Sequence, residues 1–183
     1  MQSNKSNSKI INFIHNQLEE FHKSGFKIIG FEGSSGSGKT SLIEVLYKKY
    51  PVYTIIRMDD FLYPFSERLK HLVEIKDKVI PYKKYWYDSY KILNFIKNHK
   101  TSQLIIVEGL FIKWVIGDLI DKTIRIELEN DLLEERRDKK IHKLYSSSGA
   151  KKMKLFYKLC DQAWDNYKIS YPPDISIAIH SSS

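Results

Sequence analysis

The segment Gly33-Ser34-Ser35-Gly36-Ser37-Gly38-Lys39-Thr40 satisfies every fixed position of the phosphate-binding pattern G-x-x-x-x-G-K-[ST]. In such a loop the backbone N–H groups wrap a polyphosphate at the positive end of the following helix. Its glycines permit close backbone approach and positive φ. Lys39 is expected at the β- and γ-phosphates and the Thr40 hydroxyl on Mg²⁺, with Ser41 just beyond the loop completing the nucleotide-binding stretch. A flexible Gly/Ser linker could match the same letters by accident. The flanks argue against that. Phe26-Lys27-Ile28-Ile29-Gly30-Phe31 reads as a short buried strand, and Ser41-Leu42-Ile43-Glu44-Val45-Leu46-Tyr47 opens a helix with an apolar face.

Phosphoryl transfer needs charge stabilisation and positioning, plus an acceptor for the proton of the attacking hydroxyl. Asp59, directly after an apolar segment, is the first candidate for that base, and Asp60 the second. Both could instead belong to a solvated turn. Glu108 closes the run Leu104-Ile105-Ile106-Val107, where an acid would support Mg²⁺ or its water shell, or be a surface group at a strand end. Arg136 and Arg137 open a lysine-rich helical segment and could neutralise charge on the transferred group. The alternative is a solvated helix face in which Glu134 and Glu135 pair with Lys139 and Lys140. Phe61 and the group Tyr82, Tyr85, Trp86 and Tyr87 are candidates for contact with a substrate, or for core packing.

The elements that must position these groups follow from periodicity. Residues 8–23 have helical spacing and end at Gly25. Strand one is expected at 26–31. The helix after the phosphate loop ends near Tyr50-Pro51, and strand two is expected at 52–58, followed by a loop at 59–64. Residues 66–87 suggest a short helix and an irregular excursion, and Asp88 a cap for a helix through Ile96. Strands are expected at 104–109, 122–128 and 175–179. Helices are expected at 131–144 and 151–168, with Ser146-Ser147-Ser148-Gly149 as a flexible tip between them. Alternating strands and helices predict an α/β, three-layer architecture with a parallel five-stranded sheet and helices on both faces. In such sheets ligands bind beyond the carboxyl ends of the strands, where the loop, Asp59 and Glu108 all fall.

Composition fits this reading. At 183 residues the chain is expected to form one domain over 1–183. No apolar run approaches the ~20 residues of a membrane span. The polar N-terminus lacks a signal core, and a single cysteine, Cys160, fits a reducing cytoplasm and reads as a buried thiol. The net charge is +8, yet only five arginines are present, and four of them lie beside the segments named above. That distribution favours a polyphosphate ligand over an extended nucleic-acid surface.

Together these residues resemble the uridine kinase family, within the wider group of phosphoribulokinase- and pantothenate-kinase-like enzymes. Phe31-Glu32 and the loop through Thr40 are similar to that family's G-x-S-G-S-G-K-[ST] opening. Met58-Asp59-Asp60-Phe61-Leu62 is similar to its D-x-F motif, Val107-Glu108-Gly109 to its V-E-G strand end, and Arg137-Asp138 to the R-D of its lid. Pro173-Asp174-Ile175 resembles its approach to the last strand. The resemblance implies a P-loop kinase fold with a helical lid over about 131–168, ATP and Mg²⁺ as cofactors, and Asp59 as base. It implies Lys39 and Arg137 as further catalytic groups and a nucleoside or related alcohol as small-molecule substrate. Membrane association is not expected, nucleic acid is disfavoured, and a homo-oligomer is compatible with it. The chain departs from the family where Glu134-Glu135 and Lys139-Lys140 stand among the lid arginines, and where Leu62-Tyr63-Pro64 is closer to pantothenate kinase. A kinase for pantothenate or another non-nucleoside alcohol, a nucleotide-dependent switch and a nucleic-acid-binding module are the rival readings.

Overall fold

The apolar runs at 28–31 and 104–107 are continuous because both faces of each strand are covered, as a parallel sheet requires. The computed structural model describes residues 2–70, 86–99 and 103–180. Its strands are β1 (Ile28–Gly33), β2 (Thr54–Arg57), β3 (Ile105–Gly109), β4 (Lys122–Leu128) and β5 (Ile175–Ile179). They form one five-stranded parallel sheet in the order β2-β3-β1-β4-β5. Helices are α1 (Gln2–Lys23), α2 (Lys39–Lys49), α3 (Phe65–Lys70), α4 (Ser89–Asn98), α5 (Ile112–Ile116), α6 (Asn130–Leu144) and α7 (Ser147–Ser170). The expected α/β architecture is observed.

Successive strand residues point to opposite faces, and the core divides accordingly. Ile28, Ile56, Ile105 and Val107 pack with Ile92 and Ile96 of α4, Trp114 of α5 and Trp164 and Tyr167 of α7. Ile29, Phe31, Ile106, Ile124 and Ile126 pack with Ile11, Ile14 and Leu18 of α1 and Ile43 and Leu46 of α2. Cys160 is buried in the first of these layers, as expected.

Several boundaries differ from the sequence expectation. Strand one lies at Ile28–Gly33 rather than 26–31. Asp121 accepts from the N–H groups of Lys27 and Ile28, both at 2.8 Å, and so fixes where pairing starts. Phe26 instead meets Phe21 edge-on. Strand two is shortened to Thr54–Arg57, with Val52 left exposed. Residues 58–61, expected as loop, form a 3₁₀ turn. Helix α1 begins at Gln2 rather than 8, and α2 at Lys39 rather than Ser41. The expected tip at 146–149 is largely helical. The Ser146 carbonyl accepts from the Ala150 N–H at 2.8 Å, so Ser147, Ser148 and Gly149 form the first turn of α7. Asp88 caps α4 as expected, its side chain accepting from the Lys91 N–H at 3.1 Å.

Asp174 ties the approach to β5 onto β4. Its carboxylate accepts from the Thr123 N–H and from Lys122 Nζ, both at 2.8 Å. Burial opposes its charge, but Lys122 and the Thr123 N–H outweigh that and hold the carboxyl below its usual value. The stabilisation is therefore present above the ordinary carboxylate range and is lost as pH falls through the depressed value. Urea unfolding as a function of pH should show a shallower acid-side loss for Asp174→Asn than for the wild type. Equal slopes would remove Asp174 from that role.

Candidate active site

The loop leaves β1 at Gly33 with no room for a side chain. A Cβ there would lie 2.5 Å from the Ile126 carbonyl oxygen and 2.7 Å from Ser37 Oγ. Gly36 and Gly38 adopt φ of +92° and +93°, the left-handed region that favours glycine. The ring so formed closes on Lys39, whose Nζ donates to the carbonyls of Gly33 at 2.9 Å and Ser34 at 3.0 Å. Burial pushes the Lys39 ammonium down, and Glu108, Asp59 and Glu32 push it back. Thr40 follows in the first turn of α2, and Ser41 is an exposed residue of the same turn.

Register brings the other groups to this edge. Glu108 lies opposite Phe31 of β1 and Arg57 of β2. Thr40 Oγ1 donates to Glu108 Oε1 at 3.2 Å. Burial raises the Glu108 carboxyl above its ordinary value, Lys39 opposes the rise, and Asp59 adds to it. Asp59 follows β2 on the 3₁₀ turn 58–61, whose Met58 is buried against Gly109. A cleft of about 160 Å³ is lined by Ser35, Gly36, Lys39, Thr40, Asp59 and Glu108 together. Gly109→Ala would bring a Cβ within 2.7–2.9 Å of the Met58 side chain. Overpacking of this kind costs about 1–3 kcal/mol. Thermal unfolding should register that loss, and turnover should fall with it, because Met58 carries Asp59. A variant matching wild type on both measures would show that Met58 does not set the turn.

The two arginines of α6 occupy different places. Arg136 Nη1 donates to the Ser37 carbonyl at 3.4 Å and sits beside Gly38. Arg137 is buried. Its Nε donates to the Ser35 carbonyl at 2.7 Å, and its two Nη groups grip Asp161 of α7 at 2.6 and 2.8 Å. The Tyr157 ring lies under its guanidinium at 4.7 Å. Of the aromatic candidates, Trp86 and Tyr87 line the cleft, and burial raises the Tyr87 hydroxyl well above its ordinary value. Phe61 turns from the cleft and meets Phe95 edge-on at 5.9 Å, so Leu62 takes the lining position. Tyr82 and Tyr85 lie outside the described residues. Asp60 is not among the cleft-lining residues and borders a separate groove with Arg57 and Glu44.

Sequence reasoning missed six supporting groups. Asp161 gave no signal, because only the packing of α7 on α6 brings it to Arg137. Behind the loop, Arg125 Nε and Nη2 donate to Glu32 Oε1 at 2.9 and 2.6 Å, with both side chains almost fully buried. Tyr167 of α7 donates to the other oxygen of Glu32. Burial raises the Glu32 carboxyl, and Arg125 and then Tyr167 oppose the rise. Arg68 and Lys140 also line the cleft. Scarcity of arginine was the signal that could have singled out Arg68.

Curated proteins match part of this chain in sequence. A uridine kinase of Borrelia garinii subsp. bavariensis is 31% identical over 144 residues, covering 62% of this chain and 66% of that one. A uridine kinase of Borrelia turicatae is 29% identical over 134 residues, covering 61% of this chain and 65% of that one. The chain is a relative of the uridine kinases. It spans just under two thirds of the length of these proteins. No protein-family model matches it. Among solved structures, D-glycerate 3-kinase from Cryptococcus neoformans superposes with a TM-score of 0.61 at 12% identity, over 96% of this chain and 95% of that one. A "Possible Uridine Kinase" from Bacillus stearothermophilus superposes with a TM-score of 0.53 at 14% identity, over 90% and 98%. The fold is that of the P-loop kinases.

Proposed function

We propose that the chain is an ATP- and Mg²⁺-dependent phosphotransferase whose acceptor is the hydroxyl of a small molecule. The observation that carries this reading is the meeting of the Lys39 loop, the Thr40–Glu108 pair and Asp59 in one cleft. A polyphosphate-binding loop alone would serve a switch equally well. A carboxylate facing it across a cleft supplies what a hydroxyl acceptor needs.

The site suits Mg²⁺. Thr40 Oγ1 and Glu108 Oε1, 3.2 Å apart, are hard oxygen donors. Mg²⁺ is commonly held by one or two carboxylates, with phosphates and waters completing its shell. Among the described residues no cluster of three or more His, Cys, Asp or Glu side chains forms a metal site. When bound, the ion would neutralise charge on the phosphate oxygens. The chain's own groups divide the remaining work. Lys39 and the loop amides hold the donor phosphates. Asp59 accepts the hydroxyl proton as the acceptor oxygen bonds to the γ-phosphorus. The bond from that phosphorus to the bridging oxygen breaks, and ADP leaves. Arg137, fixed by Asp161, and Arg136 balance charge beside the loop.

The curated relatives are named uridine kinases, which supports a nucleoside acceptor such as uridine or cytidine, phosphorylated at its 5′-hydroxyl. Two cations in the cleft, Arg68 and Lys140, favour a non-nucleoside alcohol instead. The phosphotransferase reading is tested by incubating the protein with ATP, Mg²⁺ and single acceptors, including nucleosides and pantothenate, and following ADP. ADP release that depends on the acceptor is expected. Hydrolysis of equal rate with and without every acceptor would make the protein a nucleotide-dependent switch.

A further inference from the structure

We propose that the acceptor carries a carboxylate or a phosphate ester, and that Arg68 of α3 and Lys140 of α6 bind this anion in the cleft beside Asp59. The proposal rests on the phosphotransferase reading above and names the substrate class of that site.

The argument starts from the charges facing the cleft. Lys39 is engaged by the loop carbonyls, and Glu108 by Thr40. Asp59 is the proton acceptor. Arg68 and Lys140 remain. Arg68 is half-buried and held in one orientation. Its Nε donates to the Tyr63 carbonyl at 2.9 Å, and the rings of Phe65 and Trp86 lie 5.4 and 5.7 Å from the guanidinium carbon. Trp86 is itself stacked on Phe156 of α7, with centroids 5.0 Å apart and planes 3° from parallel. This aromatic support fixes the guanidinium plane while leaving both Nη groups without a carboxylate among the described residues. Burial disfavours its charge accordingly.

Lys140 of α6 lines the same cleft and likewise has no ion pair among the described residues. Its neighbours are engaged: Lys139 pairs with Glu135, and Lys154 of α7 pairs with Asp138. A planar fork whose two Nη groups meet no carboxylate among the described residues, in one cleft with an ammonium, matches an oxyanion with two or three acceptor oxygens. A neutral nucleoside would leave the half-buried Arg68 guanidinium without a counter-charge. The desolvation of such groups works against binding.

The test uses matched acceptors. Pantothenate is compared with pantothenol, glycerol 3-phosphate with glycerol, and all four with uridine and cytidine, by ADP release. An anionic probe is expected to exceed its neutral match at least tenfold in kcat/KM, and the two pairs separate carboxylate from phosphate. Arg68→Gln is expected to raise KM for that probe about 10- to 100-fold, as loss of a charge-assisted hydrogen bond does, without changing ATP affinity. Lys140→Gln, at an exposed position that the fold does not need, gives the same reading if Arg68→Gln unfolds. Uridine or cytidine turned over more efficiently than every anionic probe would overturn the proposal and leave the phosphotransferase reading standing. Unchanged KM in both variants would do the same. No acceptor-dependent ADP with any probe would overturn both.

Discussion

Asp59→Asn is expected to reduce turnover by about 10²–10⁴-fold while ATP binding stays nearly unchanged. Asparagine keeps the size and one hydrogen-bonding oxygen of aspartate but cannot accept a proton. Asp59 belongs to the turn after β2, whereas the groups that wrap the donor phosphates belong to the loop after β1 and the start of α2. The two functions are thus carried by different segments and should separate in a mutant. Steady-state turnover in the presence of a working acceptor gives the first quantity, and ATP titration by fluorescence or calorimetry the second. A fully active Asp59→Asn protein would reassign the base. A protein that loses ATP binding in step with turnover would place Asp59 among the donor-site groups instead.

Arg125→Ala should be the most damaging single change to the framework, at about 3–5 kcal/mol of stability. The Glu32 carboxylate would stay buried between β1 and α7 with its counter-ion gone. Because burial already raises that carboxyl, the variant would favour protonated Glu32, and its deficit should shrink as pH falls. Glu32 immediately precedes Gly33, so nucleotide affinity should weaken along with stability. Urea unfolding at neutral and acid pH measures both parts. The double replacement Glu32→Gln with Arg125→Met should be markedly more stable than Arg125→Ala, since it removes the isolated charge. A loss under about 1 kcal/mol in Arg125→Ala would contradict the uncompensated-charge account.

The parts legible in the sequence were those written at short range. The phosphate loop declares itself by spacing, and the β3 run ending in Glu108 by apolarity followed by an acid. Asp59 was visible because it adjoins an apolar strand. The parts that were not legible depend on partners far apart in the chain. Glu32 gives no hint that it is buried until Arg125, on a neighbouring strand, is placed beside it. For the same reason β1 extends through Glu32 to Gly33, where an isolated acid would have ended a strand. Asp161 and Arg137 meet only because two helices pack. Arg68 lies in a segment of weak periodicity, where neither helix nor strand spacing assigns a face. The serine run at 146–148 misled for a different reason, since serine is as much a helix-start residue as a linker residue.

Helix α7 touches each of these parts at once. Asp161 grips Arg137 beside the loop, Tyr167 holds the residue from which the loop springs, and Phe156 backs the aromatic wall of the acceptor cleft. One rigid element therefore shares its position between the donor and acceptor halves. Ligands that each select the same setting of that element must help one another to bind, and by the same factor in either order. Synergy between nucleotide and acceptor, equal in both directions, is the thermodynamic signature that this connection implies.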